Sequence, residues 1–152
     1  MAIQAKYAHT NIVARDWKRL ARFYEEVFGC TPVGPERSLS GEWLQKVTDL
    51  PDAEIRGRHL RLPGYGDGGP TLEIFQYSRE AEAGRKAVNR PGLAHLAFVV
   101  GDVEEARDAV IEAGGGSVGE VVTAVIQGAG TITVVYVTDP EGNILELQKW
   151  LE

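Results

Sequence analysis

His9, Glu73, His95 and Glu146 are the four side chains of this sequence whose types suit a shared chemistry. Two imidazoles and two carboxylates make a donor set for one divalent ion of borderline to hard character: nickel, cobalt, manganese, zinc or iron. On an octahedral ion, four protein ligands leave two positions for water or for two neighbouring oxygens of a substrate. Such an ion is a Lewis acid toward a carbonyl, and it makes the adjacent C–H easier to deprotonate. Taken singly, none of the four says much. A strand histidine is usually a hydrogen-bonded or surface residue, and a strand glutamate usually marks the wet face. The argument for a metal lies in where the four recur.

They recur in two copies of one pattern. Ala8-His9 is followed by Thr10-Asn11-Ile12-Val13 and then Asp16, and Ala94-His95 by Leu96-Ala97-Phe98-Val99-Val100 and then Asp102. Each aspartate opens a helical periodicity. The first runs Trp17, Leu20, Phe23, Tyr24, Val27, Phe28 and stops at Gly29. The second runs Val103, Ala106, Ala109, Val110, Ala113 and stops at Gly114-Gly115-Gly116. Asp102 with Glu105 also fits a capping box. Downstream, Leu72-Glu73-Ile74-Phe75-Gln76 matches Leu145-Glu146-Leu147-Gln148, each after a turn rich in strand breakers: Gly68-Gly69-Pro70 and Asp139-Pro140-Glu141-Gly142-Asn143. Strands are predicted at Thr31 to Ser38, Ile55 to Leu62, Ser117 to Val125 and Thr131 to Thr138. The expected fold is α+β: two βαβββ modules, about residues 1–78 and 92–152, forming a cupped mixed sheet around a metal site. Residues 79–91 read as the linker of a single domain spanning 1–152.

Parity then assigns faces, because successive strand side chains point to opposite sides. His9 shares its face with Tyr7, Asn11 and Val13, away from Thr10 and Ile12. Glu73 shares its face with Phe75 and Tyr77, away from Leu72 and Ile74. His95 opposes Leu96 and Phe98, and Glu146 opposes Leu145 and Leu147. In every case the more apolar face suits a covering helix, and the other carries one metal-capable residue. Carboxylates in apolar surroundings are costly unless paired or coordinated, which favours the metal.

Composition narrows the partners. Sixteen basic against 22 acidic residues give a net charge of −6, with no basic cluster, so nucleic acid is an unfavourable partner. The first residues lack the apolar core of a signal peptide, and no apolar run is long enough to span a bilayer. Cys30 is the one cysteine, so no intrachain disulfide can form, and it reads as structural. A cytoplasmic protein acting on a small molecule is expected.

At Ala8 to Val13, Phe23-Tyr24-Glu25-Glu26-Val27-Phe28-Gly29, Gly92 to Phe98 and Asp139 to Leu147, the chain resembles the vicinal oxygen chelate superfamily. That superfamily includes glyoxalase I, methylmalonyl-CoA epimerase, extradiol dioxygenases, and bleomycin or fosfomycin resistance proteins. The resemblance runs from about Tyr7 to Gln148. It implies ligands on the first and last strands of each module, here His9, Glu73, His95 and Glu146, as in bacterial-type glyoxalase I. It also points to Glu146 as the catalytic base, with Glu73 as the candidate on the opposite side, and it implies a homodimer. The reaction class implied is proton abstraction next to a carbonyl, in an isomerase or lyase.

Departures bound the substrate. Val13 and Tyr77 stand where glyoxalase I enzymes carry an arginine and an asparagine for glutathione, and Ala94 stands where epimerases commonly have a histidine. Parity places His59 and Arg61 beside Glu73, and Arg61 suits an anionic substrate group. With Asn11, on the His9 face, they are the substrate-binding candidates. Trp43, Val47 and Leu50 form one face of a short helix expected within Gly41 to Leu50, and Trp17 and Phe23 are expected in the core. Two other functions remain: an iron(II) extradiol-type dioxygenase, which a fourth ligand at Glu73 disfavours, and a non-catalytic drug- or metabolite-binding resistance protein.

Overall fold

Asp16 starts the first helix by accepting a hydrogen bond from the Arg19 amide at 3.1 Å, which satisfies one of the amide donors free at a helix start. The helix it caps, α1 (Trp17–Phe28), ends at Gly29, whose φ of 71° is a left-handed conformation that glycine adopts without strain. In this computed structural model, which describes residues 1–151, α1 belongs to the first of two units, Met1–Ala83 and Gly84–Glu152. Residues 79–91 carry neither helix nor strand.

The first unit contains β1 (His9–Val13), α1, β2 (Thr31–Leu39), α2 (Glu42–Thr48), β3 (Ile55–Arg61) and β4 (Thr71–Tyr77). Its sheet has the order β1-β4-β3-β2, with β1 parallel to β4 and the other pairs antiparallel. Helix α1 packs on β3 and β4. Leu20 and Tyr24 are fully buried, as are Leu60, Leu72 and Ile74. Each fully buried aliphatic side chain of this size is worth about 1.5–3 kcal/mol, so the alternation in β4 is enough to fix which face meets the helix.

The opposite face is organised in rows by the register. One row is Thr31, Arg61, Thr71 and His9. The next is Val33, His59, Glu73 and Asn11. Then come Arg37, Gly57, Phe75 and Val13, and last Leu39, Ile55 and Tyr77. Over this final row lies α2. Leu44 packs with Ala53, Ile55, Leu39, Phe75 and Tyr77, closing one end of the face. The expected helix within Gly41 to Leu50 forms, but its buried residue is Leu44. Trp43, Val47 and Leu50 are exposed, because a helix of seven residues can seat only one side against Ala53 and Ile55.

In the second unit the elements are β5 (His95–Val99), α3 (Val103–Glu112), β6 (Gly116–Ser117), β7 (Val122–Ile126), β8 (Gly130–Thr138) and β9 (Ile144–Leu151). The sheet order β5-β9-β8-β6, with β7 also on β8, repeats that of the first unit. Asp102 caps α3 through the Glu105 amide at 2.9 Å. Val110, Val135, Val137, Leu145 and Leu147 are buried within this unit. The stretch expected as one strand, Ser117 to Val125, is broken. Its ends pair with β8 as β6 and β7, while Ser117 Oγ donates to the Gly119 carbonyl at 2.9 Å and turns the chain out between them. Together the units form a mixed α+β structure with two sheets. Among the described residues, no helix is long and apolar enough to cross a membrane.

Candidate metal centre

Glu73 sits in β4 between β1 and β3, and the register delivers its partners. His59 is directly opposite on β3, and Asn11 is its partner on β1. The His59 Nε2 lies 2.6 Å from Glu73 Oε2, and His9 Nε2 lies 3.3 Å from Oε1. Asn11 Nδ2 donates to Oε1 at 2.8 Å. Glu73 is only 9% exposed, so these contacts compensate a carboxylate largely removed from water. The two imidazoles meet edge to face with centroids 5.1 Å apart. Donor atoms of His9, His59 and Glu73 all lie within 4.8 Å of one another, which suits one divalent ion bound by two nitrogens and a carboxylate oxygen.

His59 is itself positioned from behind: its Nδ1 lies 2.8 Å from Thr71 Oγ1. Burial holds the His59 imidazole below its ordinary pKa. The Glu73 carboxylate opposes this, while the Arg37 and His9 charges add to the lowering. A neutral ring is the form that ligates a metal. Arg61, on the same face, reaches Asp67 Oδ1 at 3.4 Å rather than Glu73.

The second unit repeats the arrangement with different chemistry. His95 Nε2 lies 3.7 Å from Glu146 Oε1, and the partners of Glu146 across the sheet are Ala97 and Tyr136. Tyr136 thus occupies the place that His59 holds in the first unit. Its ring meets His95 at 5.1 Å between centroids. Burial raises its pKa, and the Glu146 charge and a hydrogen bond to Glu146 add to the effect, so it stays a phenol that can donate. Gln148 Nε2 donates to Glu146 Oε2, and Trp150 Nε1 donates to Gln148 Oε1 at 2.7 Å. The turn before β9 fixes where this strand starts. Asp139, 2% exposed, accepts from the amides of Glu141 at 2.9 Å and Asn143 at 3.0 Å. Neither Tyr136 nor Gln148 stands out in the sequence as a site residue; Gln148 shares the Glu146 face by parity, two residues on, and Tyr136, ten residues before Glu146, joins it only through the pairing of β8 with β9.

Cys30 is 2% exposed, and its thiol is pushed up to about 11, first by burial and then by the Glu25 charge. It is a packing residue, remote in type and state from a nucleophile.

The sequence model of the Glyoxalase/Bleomycin resistance protein/Dioxygenase superfamily matches residues 6–147. None of the curated proteins compared with the chain is similar enough to count as a match. Among solved structures, a glyoxalase family protein from Bacillus cereus is 22% identical with a TM-score of 0.74, covering 100% of this chain and 97% of its own. One from Enterococcus faecalis is 26% identical with a TM-score of 0.59, covering 94% and 96%. A glyoxylase/bleomycin resistance protein/dioxygenase domain from Frankia sp. is 18% identical with a TM-score of 0.58, covering 99% and 95%. The βαβββ repeat, the paired histidine and glutamate of each unit and the extent of the match lead to one conclusion: this chain belongs to the Glyoxalase/Bleomycin resistance protein/Dioxygenase, or vicinal oxygen chelate, superfamily.

Proposed function

We propose that this protein is a divalent-metal-dependent enzyme of the glyoxalase-like lyase or isomerase type, with His9, Glu73, His95 and Glu146 as the metal ligands. The observation that carries the reading is the convergence of His9 and His59 on the two oxygens of a nearly buried Glu73. His59 stands beside the ligands His9 and Glu73, with donor atoms of all three within 4.8 Å of one another, a spacing that also suits a shared ion. A bound ion would polarise a substrate carbonyl and acidify the C–H beside it.

The two glutamates differ in how they are held, and this divides their roles. Glu73 is gripped from both neighbouring strands, by His59 and Asn11. Glu146 faces Ala97 on one side, which offers no side-chain donor, and Tyr136 on the other. We assign the proton-accepting role to Glu146, whose strand neighbour Ala97 leaves one side without a donor, and the fixed role to Glu73. The Tyr136 phenol and the Gln148 amide orient it.

The test is catalysed exchange of an α-proton with deuterated solvent, using small 2-oxo acids and thioesters as probes on protein reloaded with zinc, nickel, cobalt or manganese. Glu146→Gln is expected to lower exchange by about 10²–10⁴-fold while the protein stays folded. His9→Ala and His95→Ala are each expected to abolish metal retention. Protein that takes up no divalent ion on reloading ends the proposal, and oxygen-dependent cleavage of a catechol by the iron-loaded protein replaces it with the dioxygenase reading.

A further inference from the structure

The strand β2 does not run evenly along β3. Val33 pairs with His59, yet Arg37 pairs with Gly57, so Gly34, Pro35 and Glu36 together face Arg58 alone. Gly34 has φ of 66°, and the Arg58 guanidinium donates to its carbonyl at 3.0 Å, which pins the bulge. An even strand would set Arg37 opposite Ile55, in the row that packs under Leu44. Two extra residues leave it on the same face but move it one place along, by about 7 Å. Arg37 now stands diagonal to His59, in the row next to that of Glu73. Its charge is close enough to His59 to act on that ring.

Gly57, the residue opposite Arg37, puts no side chain between it and Phe75. Among the described residues Arg37 has no hydrogen-bond or ion-pair partner, and its Nε is buried without an acceptor. Two arginines of β3 differ in having a partner at the end of the guanidinium: Arg58, whose Nε is also buried without an acceptor, donates to the Gly34 carbonyl, and Arg61 pairs with Asp67. A half-buried guanidinium that pairs with no carboxylate among the described residues, set by a bulge beside a group of metal-capable residues, is free to receive an anionic group. Arginine's planar fork of donors fits a carboxylate or a phosphoryl group.

We infer that Arg37 is the anion-recognition residue of this face, and that the substrate carries a carboxylate or phosphoryl group alongside the oxygens presented to the metal. The second half rests on the metal reading given above; the anion site itself does not. The apolar row beyond Arg37, sealed by Leu44, limits the substrate on that side, so its anionic group is terminal.

The experiment follows arginine Nε–H signals by NMR while inorganic phosphate or acetate is added at constant ionic strength, with chloride as the control. It is run on chelator-treated protein and on protein carrying one equivalent of zinc. One Nε–H signal, absent in Arg37→Lys, is expected to shift saturably in both. Arg37→Gln is expected to weaken binding by on the order of tenfold or more, the loss typical of a charge-assisted pair. Tighter binding of phosphate points to a phosphoryl substrate, and tighter binding of acetate to a carboxylate. The inference is overturned if no arginine signal shifts saturably in the wild-type protein, or if Arg37→Gln retains wild-type affinity. Failure to hold zinc, with Arg37-dependent anion binding intact, would remove the metal reading alone.

Discussion

Replacing Glu73 with glutamine separates a metal ligand from a structural ion pair. In the metal-free protein the Glu73 carboxylate is in contact with Asn11, His59 and His9 at 2.8, 2.6 and 3.3 Å. Glutamine keeps the shape and one acceptor oxygen but turns an amide nitrogen toward one of those donors. The cost is about one charge-assisted hydrogen bond, roughly 1.5–3 kcal/mol. For a chain of this size that lowers the melting temperature by roughly 3–12 °C. The second readout is the rise in melting temperature on adding zinc, nickel, cobalt or manganese. An ion present at a hundred times its dissociation constant stabilises the wild-type protein by about 2.7 kcal/mol. If Glu73→Gln weakens binding by about 100-fold, the same concentration contributes about 0.4 kcal/mol, a shift of about 1–2 °C. Differential scanning fluorimetry with and without each ion measures both. A variant that melts lower but keeps the full ion-induced rise would refute the assignment of Glu73 as a ligand.

Three further outcomes are expected. A Cβ at Gly57 would lie 2.0 Å from the Ile74 carbonyl oxygen and 2.7 Å from the Phe75 ring, so Gly57→Ala should destabilise by about 3 kcal/mol in urea unfolding; a neutral result would show that β3 shifts freely against β4. Cys30 should not react with a disulfide reagent at pH 8 until the protein unfolds. Its thiol titrates higher when folded, so the folded state holds the proton longer, and stability should fall as pH rises toward 11; rapid labelling of native protein would contradict the burial argument. Light scattering should give the mass of two chains, because edge strands β1 and β5 leave Val13 54% and Val99 77% exposed. A monomer at high concentration would contradict that expectation.

Face was legible in the sequence, and row was not. The alternation around Glu73 and Glu146 told which side chains turn away from the helices, and Leu72, Ile74, Leu145 and Leu147 are buried accordingly. The helix starting after Asp16 and stopping at Gly29 was equally plain, since cap and apolar period agree. Which residues stand side by side depends on pairing between strands distant in sequence, and parity does not carry that. Hence His59 was assigned to the face of Glu73 without its contact at 2.6 Å, and Arg37 was not singled out at all. The bulge at Gly34 to Glu36 contains a glycine and a proline, which reads equally well as a strand interruption. Leu44 was overlooked for a related reason. Trp43, Val47 and Leu50 look like a helical face, yet the partner surface of Ala53 and Ile55 decides which side is buried.

Thr71 has a consequence for how the centre fills and empties. A hydroxyl can donate or accept, and this one lies 2.8 Å from His59 Nδ1. While Nε2–H points at Glu73, the threonine proton serves Nδ1. Were Nε2 to offer its lone pair to an ion beside Glu73, Nδ1–H would serve the same oxygen. The ring can trade one tautomer for the other without changing neighbours, so the proton moves and the strands stay still. If an ion were shared with His59, its arrival would ask of this ring only an exchange of the proton between two nitrogens.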